Sequence, residues 1–181
     1  KRAGARTLPI LNGMYWRRSL IVLLLVLGAC RGKDSPDKEL AVPAAEADGY
    51  ANPMALIEAS ELKSLEGKQG VRVIDFRPQS EFEKGHIPGA IPLWRSDIES
   101  SDNETPGMIA SRVHMEGLLS GKGIGRDDVL ILYDDQGGVN AARLWWVLKV
   151  YGFENVRLLN GGLQGWESEE APLTLQQDID T

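Results

Sequence analysis

The sequence predicts an α/β domain with a mostly parallel central sheet and helices on both faces. Three observations predict it. Residues 129–133 (VLILY) are five apolar residues between polar turns, the pattern of a strand buried on both faces. Residues 71–75 (VRVID) are a second short β-branched run. Helix-like segments separate such runs, and strands alternating with helices build parallel sheets through crossover connections.

The domain is expected over 54–173. Ala55, Leu56 and Ile57 read as a short edge strand. Ser60 reads as the N-cap of a helix through Leu65 that stops at Gly67. Phe82 and Lys84 fall in a short helical turn ended by Gly85, and 108–120 reads as a helix closed by the glycine-rich loop 121–125. After the strand 129–133, a loop over 134–140 leads into a helix over 141–151 (AARLWWVLKVY). Asn155 to Leu159 reads as a strand, and Leu163 to Glu167 begins a last helix. Ligands of open α/β sheets bind beyond the carboxyl ends of strands, which points to the loop after Tyr133.

The helix over 141–151 is apolar nearly all round. Ala141, Leu144, Trp145 and Leu148 form one face; Trp146, Val147 and Val150 fill much of the rest. Such a helix is normally buried all round. Its second side is expected to meet another domain or subunit, with large Trp residues in a small core as the alternative.

The first 29 residues read as an address. They carry five basic residues and no acid. Lys1 to Gly13 precede Met14, the one methionine placed to start the chain, and read as upstream sequence. A basic stretch (MYWRRS), an apolar run at 20–27 (LIVLLLVL) and a small-residue ending Gly28-Ala29 make a secretory signal, too short to span a bilayer. The ending LGAC at 27–30 resembles the lipobox of bacterial lipoproteins. That resemblance implies cleavage before Cys30, a lipid on its sulfur, and, with Arg31 rather than Asp following, an outer-membrane site facing the periplasm. The alternatives are an ordinary signal peptide with a chance cysteine, or a buried element of a longer domain. Residues 30–53 are small, charged and broken by prolines, as in a flexible tether.

Composition excludes several classes. With 43% hydrophobic and 25% charged residues, the chain is neither fibrous nor disordered as a whole. The net charge is −6, and beyond residue 29 there are 15 basic against 26 acidic residues. Such a body does not suit a nucleic-acid partner, which needs clustered Lys and Arg. One cysteine and two histidines, at Cys30, His86 and His114, do not supply a zinc site, and a lone cysteine forms no internal disulfide. No metal and no cofactor is expected.

Two blocks carry a family resemblance. Residues 71–93 (VRVIDFRPQSEFEKGHIPGAIPL) resemble the opening pattern of rhodanese domains: a strand, Asp-x-Arg, a Glu-Phe pair and Gly-His-Ile-Pro-Gly-Ala. Residues 129–166 resemble the reactive loop of that family, its helix, and the closing Leu-x-Gly-Gly-x-x-x-Trp element. Read without the family, the same residues are scaffold. Asp75 and Arg77 pair at a strand end, and His86 is a structural hydrogen-bonding residue in a tight turn. Gly161 and Gly162 allow a left-handed turn, Trp166 plugs the core, and His114 faces solvent.

In active rhodanese domains a cysteine follows the central strand, and a loop turns backbone N–H groups toward it at a helix N-terminus. The thiolate takes a sulfane sulfur as a persulfide and passes it to a nucleophile. Here that position holds Asp134, and the following, often basic, position holds Asp135. Gln136, Gly137, Gly138 and Val139 complete the loop; Gly137 matches the family glycine, and Val139 stands where a basic or hydroxyl residue is common. Two adjacent carboxylates are expected to repel thiosulfate. No catalytic residue is intact, and phosphatase chemistry lacks its cysteine and arginine.

Asp here, followed by Ala-Arg-x-Trp-Trp, resembles the non-catalytic amino-terminal half of tandem-domain sulfurtransferases. That resemblance implies a sulfurtransferase with thiosulfate or 3-mercaptopyruvate as donor and a second rhodanese domain as partner, and the lipobox resemblance adds the membrane anchor. Residues 174–181 then read as the start of a truncated linker. The alternative is a single non-catalytic rhodanese-like binding or regulatory module at the cell envelope that recognises a protein or a small anion, with Asp134 and Asp135 favouring a cationic ligand over an anion.

Overall fold

The computed structural model describes residues 52–101 and 105–175. The expected leader, Cys30 and most of the tether lie outside them, as do residues 176–181. A 3-10 turn, Pro53–Ala55, opens the described chain.

Five strands form one sheet in the order β1-β5-β4-β2-β3, and every pairing is parallel. They are β1 (Leu56–Ile57), β2 (Val71–Asp75), β3 (Ile91–Pro92), β4 (Val129–Tyr133) and β5 (Val156–Leu159). The centre is β4, whose five residues are all buried. Its side chains alternate between two cores, as a pleated strand requires. Leu130 and Leu132 enter one core with Met115, Leu119, Leu144 and Leu148. Val129, Ile131 and Tyr133 enter the other with Leu62, Leu163 and Trp166.

The helices are α1 (Ala59–Lys63), α2 (Gln79–Phe82), α3 (Arg95–Ile98), α4 (Arg112–Gly121), α5 (Val139–Val150) and α6 (Gly162–Ser168). Residues of α3, α4 and α5 line the first core, and residues of α1 and α6 line the second. This is the expected sheet with helices on both faces.

Several boundaries differ from the sequence reading, each for a local reason. The N-cap of α1 is Glu58, two residues before Ser60, and its N–H donates to Glu61 at 3.0 Å. Lys84 lies beyond α2. The helix expected from Met108 starts at Arg112, capped by the Ser111 hydroxyl. The backbone before it is already committed, since Ile109 bridges Glu99 and Ala110 N–H donates to Ile98. Val139 and Asn140 belong to α5 rather than to the loop. Thr174, placed in the linker by the sequence reading, exchanges two backbone bonds with His86, at 3.0 and 2.9 Å.

Helix α5 buries Ala141, Leu144, Val147 and Leu148 and exposes Val139, Trp146 and Val150. Trp145 is half-buried, with its indole N–H on Val156 O at 3.0 Å.

Candidate functional site

The chain leaves the carboxyl end of β4 at Tyr133 and turns directly into Asp134, which is fully buried. The Asp134 side chain folds back under the loop. Its Oδ1 accepts the N–H groups of Gln136 at 2.9 Å and Gly138 at 2.8 Å. Its Oδ2 accepts those of Asn140 at 2.7 Å and Ala141 at 2.8 Å. Asn140 and Ala141 are the second and third residues of α5, so their N–H groups have no partner inside the helix. A carboxylate there satisfies them and sits at the positive end of the helix dipole. The turn that aims these groups inward needs left-handed backbone at Gly137 and Gly138, with φ +67 and +87.

Asp135 is placed differently. Its carboxylate is partly exposed and lies 4.0 Å from the Arg77 guanidinium. Its carbonyl accepts the Gln164 side-chain amide at 3.0 Å. Gln136 and Gly137 are exposed, and Val139 is 70% exposed on the first turn of α5. Of the residues singled out by sequence, 134 to 139 thus form one continuous loop and helix start, and Cys30 lies outside the described residues.

A buried polar network supports the loop from below. Arg77 donates to both oxygens of Asp75, the shortest contact being 2.6 Å, and to Gly85 O at 2.8 Å. The Tyr133 hydroxyl donates to Asp75 at 2.6 Å and accepts the Ile87 N–H at 3.1 Å. Burial, then the neighbouring Asp75 charge, raise the Tyr133 phenol well above its ordinary value. Burial alone lowers Arg77, but its hydrogen bond and charge interaction with Asp75 prevail and leave it raised. The pairing of Asp75 with Arg77 expected from sequence is present. His86 stacks on Phe82 at 3.6 Å with Nδ1 3.0 Å from Phe82 O, a scaffold position.

The closing Gly-Gly element also contacts the loop. Leu163 N–H donates to Asp134 O at 2.9 Å. A Cβ on Gly162 would lie 2.5 Å from that same oxygen. Sequence reasoning found the left-handed turn here but missed this contact. It also read Asp134 as a bare negative charge. An Asp ahead of a Gly-Gly turn and a helix is a recognisable capping signal, and that signal was available.

Chemically, the four inward N–H groups form an anion cradle, and the anion in it is the protein's own carboxylate. The described residues include no cysteine. Among them no cluster of His, Cys, Asp and Glu is placed to hold a metal ion.

A parallel α/β sheet with an anion cradle at the end of its central strand defines the class. The Rhodanese-like domain model matches residues 58–169, and the chain belongs to that family. Over 123 residues it is 37% identical to the thiosulfate sulfurtransferase of Corynebacterium glutamicum, covering 67% of this chain and 40% of that protein. It is 31% identical over 127 residues to the thiosulfate sulfurtransferase of Azotobacter vinelandii, covering 70% of this chain and 47% of that one. The structure of the 3-mercaptopyruvate sulfotransferase SseA from Escherichia coli superposes with a TM-score of 0.58 at 28% identity, over 66% of this chain and 50% of that chain. The chain spans half or less of the length of each of these proteins.

Proposed function

We propose that this rhodanese domain is the supporting, non-catalytic half of a longer sulfurtransferase. The observation that carries the reading is Asp134, buried where the loop N–H groups converge. Sulfur transfer needs a thiolate there. It attacks the outer sulfur of thiosulfate, the S–S bond breaks, and sulfite leaves with the electron pair. An acceptor then takes that sulfur from the persulfide and regenerates the thiolate. A carboxylate forms no persulfide, and this one already occupies the cradle.

The working cysteine then belongs to a second rhodanese domain of the same protein, the partner in this proposal. Two facts support it: the matched relatives are at least twice as long as the aligned region, and α5 exposes Val139, Trp146 and Val150. The donor is thiosulfate, as the relatives' names state, or 3-mercaptopyruvate. In this proposal the protein sits at the outer membrane, facing the periplasm, held by lipid on Cys30; the basic stretch, apolar run and LGAC ending of the leader support that reading.

The competing reading is a lone binding or regulatory module at the cell envelope, and the geometry weakens its cation-binding form at Asp134 and Asp135. Both oxygens of Asp134 are engaged and Asp135 faces Arg77. The test is thiocyanate formation from thiosulfate and cyanide. The 181-residue segment by itself should give none above the blank. Turnover that survives Cys30→Ser would refute the reading.

A further inference from the structure

At the far end of α5 from Asp134, about 18 Å along a helix of this length, lies a second concavity. It is a cleft of about 170 Å³ between α4 and the chain leaving α5. Its floor is Met115, Leu119 and Ile124, all buried, and its walls are the half-buried rings of Tyr151 and Phe153.

Two cations stand at its rim. The Arg112 guanidinium lies 5.7 Å over the Tyr151 ring, and that of Arg126 lies 5.3 Å over the Phe153 ring. Arg126 is held by the Tyr151 and Gly152 carbonyls, with its shortest bond 3.0 Å. Arg112 is loosely paired, 3.8 Å from Glu116, and both of those side chains are largely exposed. The rim thus sets two positive charges, that of Arg126 held in place by backbone carbonyls, against one acid, on a body whose net charge is negative.

We infer that this cleft binds a small amphipathic carboxylate: one benzene-sized or branched aliphatic group seated on Met115, Leu119 and Ile124, with its anion toward Arg112 and Arg126. Size decides the apolar part. A cavity of roughly 150 Å³ lined by aliphatic side chains takes benzene, whereas drug-sized ligands need roughly 300 Å³ or more. Charge decides the rest, because a guanidinium beside an aromatic wall suits a carboxylate and opposes an amine.

The site is separate from the loop and does not rest on the proposed function. It is tested by titrating the full chain, labelled with ¹⁵N, with 3-phenylpropionate, 3-phenyl-1-propanol and 3-phenylpropylamine at low salt. The carboxylate should shift the amides of Leu119, Ile124, Tyr151 and Phe153 saturably, with a Kd on the order of millimolar. The alcohol should bind more weakly and the amine weakest. Arg112→Glu reverses an exposed charge without touching the core. It should weaken the carboxylate roughly fivefold and leave the alcohol unchanged. Glu116→Gln should tighten the carboxylate. Alcohol binding as tight as the carboxylate would show that the guanidinium groups play no part and would overturn the assignment. So would shifts centred elsewhere, or an Arg112→Glu chain that binds the carboxylate as well as the parent.

Discussion

Asp134 Oδ2 accepts the backbone N–H of Ala141 at 2.8 Å, seven residues along the chain. That bond, with its three companions, ties the end of the central strand to the start of α5 through one side chain. The loop therefore needs no external anion to hold its shape.

Asp134→Asn tests the strength of this tie. The amide keeps the size of the side chain but replaces one accepting oxygen with a donor, so two inward N–H groups lose their partner. Each buried donor left unsatisfied costs about 1–3 kcal/mol. Urea unfolding should show a loss of about 2–6 kcal/mol. A loss no larger than that of a surface substitution would mean the four bonds do not hold the loop.

Gly162→Ala probes the second contact on Asp134. The residue has φ +56, and an added Cβ would sit 2.5 Å from the Asp134 carbonyl oxygen. The left-handed backbone alone costs about 1–2 kcal/mol for a residue with a side chain. The clash is with backbone, which cannot swing away, so the total destabilisation should exceed about 2 kcal/mol. Gly137→Ala has the same handedness with open space around it and is the control. It should cost less.

Tyr133 gives a pH dependence. Its folded value lies above the ordinary 10 because of burial and the neighbouring Asp75 charge. Below pH 10 the proton is held in both the folded and unfolded chains, so the contribution to stability is complete. Above pH 10 the unfolded chain releases it and the folded chain keeps it, so stability falls by about 1.4 kcal/mol per pH unit. Chemical unfolding at about pH 9, 10 and 11 should show little change over the first step and approach that slope over the second, and Tyr133→Phe should remove one proton's worth of the fall. The variant should also be less stable at neutral pH, having lost its bonds to Asp75 and Ile87.

Asp134→Cys puts a sulfur into the cradle without changing the field around it. The cradle would face a thiolate, yet Asp135 remains beside it and Val139 offers no cation. Thiocyanate formation should stay close to the blank. A rate comparable to that of an active relative would show that the nucleophile alone was missing.

The parts of the fold legible in the sequence were those with unambiguous local chemistry. The apolar run at 129–133 became β4 without a shifted boundary, because five buried residues fit nothing else. The two-residue strand β3 and the four-residue α3 were missed, since neither is long enough to show a period. Pro92 also lacks the N–H that a strand interior needs, which sheet-edge placement tolerates. At the site, sequence located Asp134, Asp135 and the loop glycines. It could not show which way Asp134 points. Direction decides the chemistry: outward the carboxylate would repel an anion, and inward it replaces one.

The most direct test is therefore an anion titration of the loop itself. Formate and thiosulfate would be added to the parent chain and to Asp134→Gly, following the amides of Gln136, Gly138, Asn140 and Ala141. The parent amides should not respond saturably to either anion. The variant, with its cradle emptied, should bind formate at these four amides and gain thermal stability from it. Saturable binding of thiosulfate to these amides in the parent chain would contradict the account, because it would show a cradle open to substrate rather than closed by Asp134.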